Sequence, residues 1–299
     1  MPRLTAIVPA TNSPPTLVAC LDAIHSANEP PEEVVVVTEA GGPAEARNAG
    51  ARDSIGDVLV FVDSDVLPHT DAFVRIRRAF DEDPELAALF GSYDDSPAAP
   101  GTVSAFRNLL HHHVHQASAG PATTFWTGLG AVRQDAFVAV GGFDPDQGWL
   151  EDVDFGMRLS ATGASIVLDP SIQGTHLKAW SLWEMIRTDF LRRGVPWVDL
   201  MLRHEETSAG LNLAWRHRAS AAASLVAAGA LLRGRPRVAA CALLGLVALN
   251  TSFYGLLLRR RGPVEATLGV GLHAVHHVTG ALSVPVGVVA HVRGRRAAR

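Results

Sequence analysis

The sequence predicts an α/β fold, a mixed sheet flanked by helices, followed by apolar helices suited to a membrane. Three observations carry this. Short β-branched runs alternate with helical patterns through the first 90 residues, the signature of parallel strands joined by right-handed crossover helices. The charge divides sharply: residues 1–206 hold 14 Lys and Arg against 29 Asp and Glu, a balance of −15, while 207–299 hold 12 Arg against Glu265 alone, a balance of +11. Finally, Val238 to Leu258 is 21 residues without a charge, and a bilayer core needs about 20.

The elements follow in order. Strands are expected at Leu4 to Val8, Val34 to Thr38 and Val58 to Val62. Pro14 and Pro15 open a helix with Leu17, Leu21 and Ile24 on one face, and a second helix follows Pro43. A third begins near Thr70 and Asp71, which can cap it, and presents Phe73, Ile76 and Phe80. From Leu86 to Ser165 the pattern is more mixed, with strands at Leu86 to Gly91, Leu129 to Arg133 and Ile166 to Leu168, and a helix from about Glu151 to Gly163. Ser181 and Glu184 have capping-box spacing, so a helix runs from there until Gly194 and Pro196 stop it.

The soluble part is expected to close around His204 to Gly210, giving a domain over 1–206 and a membrane-associated region over 207–299 with two or three apolar helices. Val238 to Leu258 reads as one transmembrane helix, and Val264 to Val292 is similarly long. Ala219 to Leu232, at 14 residues, is short for a crossing; it suits one arm of a tight hairpin, an interfacial helix or a core helix. Arginine clusters at 233 to 237, 259 to 261 and 293 to 296 suit anionic headgroups. Apolar runs separate them, which disfavours nucleic acid as partner. Cys20 and Cys241 are too few for a disulfide framework, and the N-terminus shows no charged-then-apolar leader, so a reducing, cytoplasmic setting is expected for the first domain.

The sharpest chemical feature is Asp63-Ser64-Asp65 at the end of Val58-Leu59-Val60-Phe61-Val62. Carboxylates at the carboxyl end of a parallel strand point into the crevice where open α/β sheets bind ligands. Hard oxygen donors hold Mg²⁺ or Mn²⁺, which neutralises a diphosphate; the bland alternative is a solvated turn.

Here the chain resembles family 2 glycosyltransferases. Leu4 to Asn12, Ala46-Arg47-Asn48-Ala49-Gly50-Ala51 and Gly56 to Asp65 look like the nucleotide-binding half of that family in order and spacing. Thr127-Gly128, Gly141-Gly142-Phe143-Asp144 and Glu151-Asp152-Val153-Asp154 resemble its acceptor-side half. The likeness spans about residues 4 to 197. It implies the GT-A fold, a Rossmann-like sheet, with a nucleotide-sugar donor (UDP-linked by default), a divalent metal (Mn²⁺ or Mg²⁺) and inversion at the anomeric carbon.

The resemblance makes Asp65 a metal ligand, Asp63 a contact to ribose or metal-bound water, and His176 in Gly174-Thr175-His176 a further metal ligand. Asp152 becomes the catalytic base, with Glu151 beside it as a second catalytic position; an acid beginning a helix is kept ionised by the helix dipole, and the bland alternative is that both acids merely cap that helix. Pro9, Ala10, Thr11, Arg47, Asn48, Ser64 and Gly128 become donor-binding positions. Arg192, Arg193 and Trp197 stand where relatives hold the diphosphate, but the Gln-x-x-Arg-Trp pattern of processive members is poorly matched, which argues against a polysaccharide synthase. The second strand ends Thr38-Glu39-Ala40-Gly41-Gly42 where the family has consecutive aspartates, so Glu39 substitutes as the acid that binds the base.

Two histidine groups stand apart. His111, His112, His113 and His115 suit a solvated or acceptor-lining surface better than a metal site, because consecutive helical positions point in different directions. His273, His276 and His277 share a helical face and suit an interfacial location or a lipid-headgroup contact. The reading is transfer of a sugar to a hydroxyl of a lipid-linked acceptor at a bacterial inner membrane, with the catalytic domain in the cytoplasm. The rivals are a polyprenyl-phosphate glycosyltransferase and a non-catalytic nucleotide-sugar-binding membrane protein. A nucleotidyltransferase is disfavoured, since no glycine-rich phosphate loop follows Val8.

Overall fold

The structure, a computed structural model, describes residues 1–204 and 215–297, with side chains as far as Arg293 in the last helix. It divides into two compact units: Met1–Ala99 with Val114–Lys178, and Pro100–His113 with Ala179–Arg299. The expected boundary at 206 lies outside the described residues.

The first unit is built on strands β1 (Leu4–Pro9), β2 (Glu33–Val37), β3 (Val58–Val62), β4 (Val66–Pro68), β5 (Leu86–Tyr93), β6 (Gly120–Pro121), β7 (Leu129–Arg133) and β8 (Ser165–His176). They form one sheet in the order β2-β1-β3-β7-β5-β8-β4, with β6 on β8. The pairs β1 with β2, β1 with β3, and β5 with β8 are parallel, and the rest are antiparallel, so the sheet is mixed. Every residue of β3 is fully buried, as a five-residue apolar run in a central strand should be. Helices α1 (Leu17–His25), α2 (Pro43–Arg52) and α3 (Ala72–Glu82) follow the first strands, and Cys20, Ile24, Phe73, Ile76 and Phe80 pack with β1 and β3 in the core.

Some sequence expectations shift. Asp71 precedes α3 without a side-chain cap; its carboxylate pairs instead with Arg75 at 2.7 Å. Strand β8 continues past Leu168 to His176, and β4 was not foreseen, because three residues carry no periodicity. Helix α4 (Thr102–Ala117) crosses the division between units, α5 (Gln134–Ala139) follows β7, and α6 (Glu151–Ala161) starts where the acids predicted. At Gly156 an added Cβ would lie 2.6 Å from Thr124 Cα and closer still to neighbouring backbone atoms, so only glycine lets α6 lie directly on that segment.

The second unit is helical. Helix α7 (Leu182–Arg187) begins with a complete capping box of Ser181 and Glu184. Gly194 and Pro196 do not stop the chain there: a π-helical turn at Thr188–Gly194 leads into α8 (Val195–Arg203), with Pro196 in the first turn, where its missing N–H breaks no bond. Helices α9 (Trp215–Leu232) and α10 (Pro236–Leu249) pack as a hairpin turning at Gly234, whose φ is 63°. Ala219 to Leu232 thus lies in one arm of a helical hairpin, with Ser220, Ser224, Ala227 and Ala230 on its buried side.

The uncharged run Val238 to Leu258 is not a single helix. Asn250 interrupts it at φ −129° and ψ 33°, and its amide donates to Leu246 O (2.9 Å) and Ser220 Oγ (2.8 Å), so α10 ends at Leu249. Helix α11 (Thr251–Ala297) turns sharply at Gly262, φ 81°. Its stretch to Arg293, 43 residues, is the one helix among the described residues long and apolar enough to cross a membrane. Phe106, Leu109, Met185, Phe253, Leu256 and Leu257 form this unit's core.

Candidate active site

Strand β3 delivers Asp63, Ser64 and Asp65 into a turn closed by Val66 N donating to Asp63 O at 2.9 Å. All three are half-buried. The turn is tied to its surroundings by the backbone: Asp63 N donates to Gly128 O (3.2 Å), and Leu177 N donates to Asp65 O (2.8 Å). The second bond brings the end of β8 to the turn, leaving His176 Nε2 3.6 Å from Asp65 Oδ2. The imidazole is buried and lies flat on Tyr93, centroids 4.2 Å apart at 10°. The neighbouring Thr175 hydroxyl donates to Asp94, which also meets His69 Nε2 at 3.0 Å, so this strand end is held from both flanks.

Electrostatics agree with a cation-seeking site. Burial, then Asp63 and Asp65, push the Cys20 thiol up to about 12, a measure of the negative field behind the turn. Burial opposes ionisation of Asp65, but His176 and Lys178 outweigh it and hold its pKa below the ordinary carboxylate value. Among the described residues no group of three or more His, Cys, Asp or Glu side chains comes together as a metal cage. The fit to a hard divalent ion therefore rests on Asp65 and His176, a protein donor set small enough to leave positions for phosphate oxygens and water.

The carboxylates of the two halves do converge. Arg47, fully buried in α2, donates to Asp63 Oδ1 (2.7 Å) and to Glu151 Oε1 (2.6 Å), joining residues 104 apart in sequence. Burial and the charge of Asp152 work against ionisation of Glu151, while Arg47 favours it. Glu151 is thus a buried partner of Arg47, not a group open to a substrate. Asp152, the next residue, is half-buried in the first turn of α6; its Oδ2 stands 3.5 Å from Thr127 N and its Oδ1 2.8 Å from Val153 N.

Asn48 likewise faces inward. Its amide donates to Phe143 O (2.7 Å) and accepts from Phe143 N (2.9 Å), clamping a turn in which Gly141 and Gly142 have φ of 81° and 70°. Arg47 and Asn48 therefore join α2 to the segments around Glu151 and Phe143. Pro9 ends β1 and Ala10 and Thr11 follow it, with Ala10 N on Val37 O at 2.9 Å, and Glu39 is exposed just beyond β2. Arg192, Arg193 and Trp197 belong to the second unit, in the π turn and α8.

Sequence reasoning passed over Tyr93, Lys178 and Trp149. Trp149 is 55% exposed, three residues before Asp152, in a turn where Gly148 has φ 62°. An exposed tryptophan preceding paired acids was the available signal. His115, expected at a solvated or lining surface, is buried, its Nδ1 2.9 Å from Gly91 O and its ring against Phe90 and Trp126.

Comparison with known proteins decides the family. The family model described as glycosyl transferase family group 2 matches residues 58–253, about two thirds of the chain. The chain belongs to that family. A Haemophilus influenzae protein described as an uncharacterized glycosyltransferase is 23% identical over 190 residues, 52% of this chain and 61% of the relative's own length. The mannosyltransferase PcManGT from Pyrobaculum calidifontis, solved with GDP-Man and Mn²⁺, superposes with a TM-score of 0.59 at 18% identity, covering 95% of this chain and 87% of that one. GalNAc-T7, solved with UDP, GalNAc and Mn²⁺, gives 0.50 at 12% identity, covering 75% and 51%. At these identities the likeness is one of fold, and the fold of the family 2 transferase is GT-A.

Proposed function

We propose that the chain transfers a sugar, with inversion, from a nucleoside diphosphate sugar to a hydroxyl of a membrane-associated, lipid-linked acceptor. The observation that carries the reading is the Asp63–Arg47–Glu151 chain of contacts, which sets Asp152 beside the Asp-x-Asp turn. Asp152 accepts the acceptor's hydroxyl proton while that oxygen attacks the anomeric carbon from the face opposite the phosphate; the bond from that carbon to the phosphate oxygen breaks, and the nucleoside diphosphate leaves with the electron pair. Asp65 and His176 would hold the divalent ion, Mn²⁺ or Mg²⁺, whose charge stabilises the leaving diphosphate. Two neighbours of like fold were solved with Mn²⁺ and a nucleotide, GDP-Man in one and UDP in the other, which supports this donor class.

Pro9, Ala10, Thr11 and Glu39, along the ends of β1 and β2, form the cradle for the nucleotide, with Ser64 and Gly128 near the sugar. Exposed Trp149 offers an apolar face for an acceptor ring beside the base. The membrane part of the reading rests on α11, whose most apolar 18-residue window is only 28% buried, leaving Leu268, Leu282, Val286 and Val289 uncovered. Attachment to a bacterial inner membrane, with the catalytic unit on the cytoplasmic side, would keep the site near its acceptor.

The test is turnover of UDP- and GDP-sugars against membrane lipid extract, with and without Mn²⁺. Turnover should require the metal, and Asp152→Asn should lower kcat by about 10² to 10⁴-fold. An Asp152→Asn enzyme as active as the parent sinks the assignment of the base and favours an acceptor that is already an anion.

A further inference from the structure

The second unit gathers a group of cationic and imidazole side chains that the sugar-transfer chemistry leaves unused. His273 and His277 on α11 lie with ring centroids 4.4 Å apart, and His217 on α9 lies 6.4 Å from His277. Burial, then the neighbouring Arg216, His112 and His217, push the His113 imidazole down to about 4, which registers the positive potential around it. Among the described residues the acid that meets this group is Asp189, and it is held by Arg107 Nη1 at 2.8 Å and His276 Nδ1 at 2.7 Å.

Among the described residues, Nε of Arg216 and Nε2 of His277, a residue only 7% exposed, are buried with no hydrogen-bond partner. Buried polar atoms are rarely left unpaired, and an Arg N–H can only donate. A water molecule could satisfy one such donor, but it does not offset the guanidinium charge. A metal ion is the wrong complement, because it would sit beside that guanidinium with Asp189 already engaged. The group calls for an anion with several acceptor oxygens.

We propose that Arg216 and His277, with His217 and His113 beside them, form a phosphate-binding site in the second unit. A phosphate ester presents acceptor oxygens in several directions and pairs strongly with guanidinium forks. Two sources carry that chemistry, a lipid headgroup and a phosphate free in solution. In the first case the site deepens the lipid-acceptor reading and rests on it; in the second it stands alone. The uncovered apolar face of α11 beyond the histidines is suited to the tail of an amphiphile.

The experiment uses the full chain in a neutral maltoside detergent, titrated calorimetrically with decyl phosphate, with decanol as uncharged control, and separately with inorganic phosphate. Decyl phosphate should bind saturably and decanol should not. Both Arg216→Gln and His277→Asn should weaken decyl phosphate binding at least tenfold while nucleotide-sugar binding persists. Arg216 is half-buried near the start of α9, so its variant still answers the question if His277→Asn fails to fold. Tighter binding of decyl phosphate than of inorganic phosphate assigns the site to a lipid headgroup; equal affinity assigns it to a soluble phosphate. If neither probe binds saturably, or the variants bind like the parent, the proposal is overturned. Metal-dependent donor turnover is a separate measurement, so that result leaves the sugar-transfer reading as it stands.

Discussion

The two units handle buried charge in opposite ways. In the first, a single guanidinium, Arg47, sits between two carboxylates, Asp63 and Glu151, with Asp152 close by, so the local balance is negative. In the second, one carboxylate, Asp189, is shared by Arg107 and His276, with further imidazoles and Arg216 nearby, so the balance is positive. The first arrangement suits a cation and the diphosphate it would carry; the second suits an anion. Both pairs also serve as joints, because each connects segments remote in sequence.

The largest way to break this contrast is at Arg47. Arg47→Met leaves Glu151 buried without its cation, and loss of one partner from a buried pair costs about 3–5 kcal/mol. Burial and Asp152 raise the Glu151 pKa to about 7, and a protonated carboxyl needs no cation, so unfolding above that pH should report the full loss and adding Glu151→Gln should recover part of it there. A variant as stable as the parent would mean that the joint contributes little.

A smaller effect is expected at Asp189. Burial opposes its charge, but Arg107 and His276 prevail and hold its pKa at about 2. A carboxyl whose folded pKa is depressed adds stability above its unfolded pKa of about 3.9 and loses it as pH falls toward the folded value. Asp189→Asn should therefore cost on the order of 2 kcal/mol at neutral pH, with the difference shrinking between about pH 4 and pH 2. Unfolding of both proteins across that range checks it; a gap that stays constant with pH would point to packing instead of charge.

The smallest effect lies at Asn250. Asn250→Ala removes the donor that meets Ser220 Oγ and Leu246 O, and should cost about 1 kcal/mol. No measurable change in unfolding would show that the α10–α11 break is maintained by other contacts.

Much of the first unit was legible because its signals are local. Val58 to Val62 is an unbroken apolar run, so strand β3 and the turn carrying Asp63 and Asp65 could be named in advance, as could the start of α6 at Glu151. The approach of the two acid motifs to each other was inferred from family likeness and is seen as contacts through Arg47. The division of labour between Glu151 and Asp152 was not legible: adjacent carboxylates look alike until burial and a partner separate them. Nor was the inward use of Arg47 and Asn48, whose partners lie 104 and 95 residues away.

In the second unit, hydropathy misled where it is usually trusted. Val238 to Leu258 contains no charge, so nothing in a sliding window marks Asn250, and the break becomes visible only once Ser220 from α9 stands opposite. The π turn through Gly194 is similar, since glycine and proline ordinarily end a helix and here are carried within a continuous one.

The order of residues determined most of the first unit's strands and helices and where the carboxylates emerge, because those properties depend on neighbours a few positions apart. Which of the paired acids is buried against Arg47, and where a long apolar run must bend, were decided by the packed chain. Desolvation and hydrogen bonding act through contacts that only folding creates.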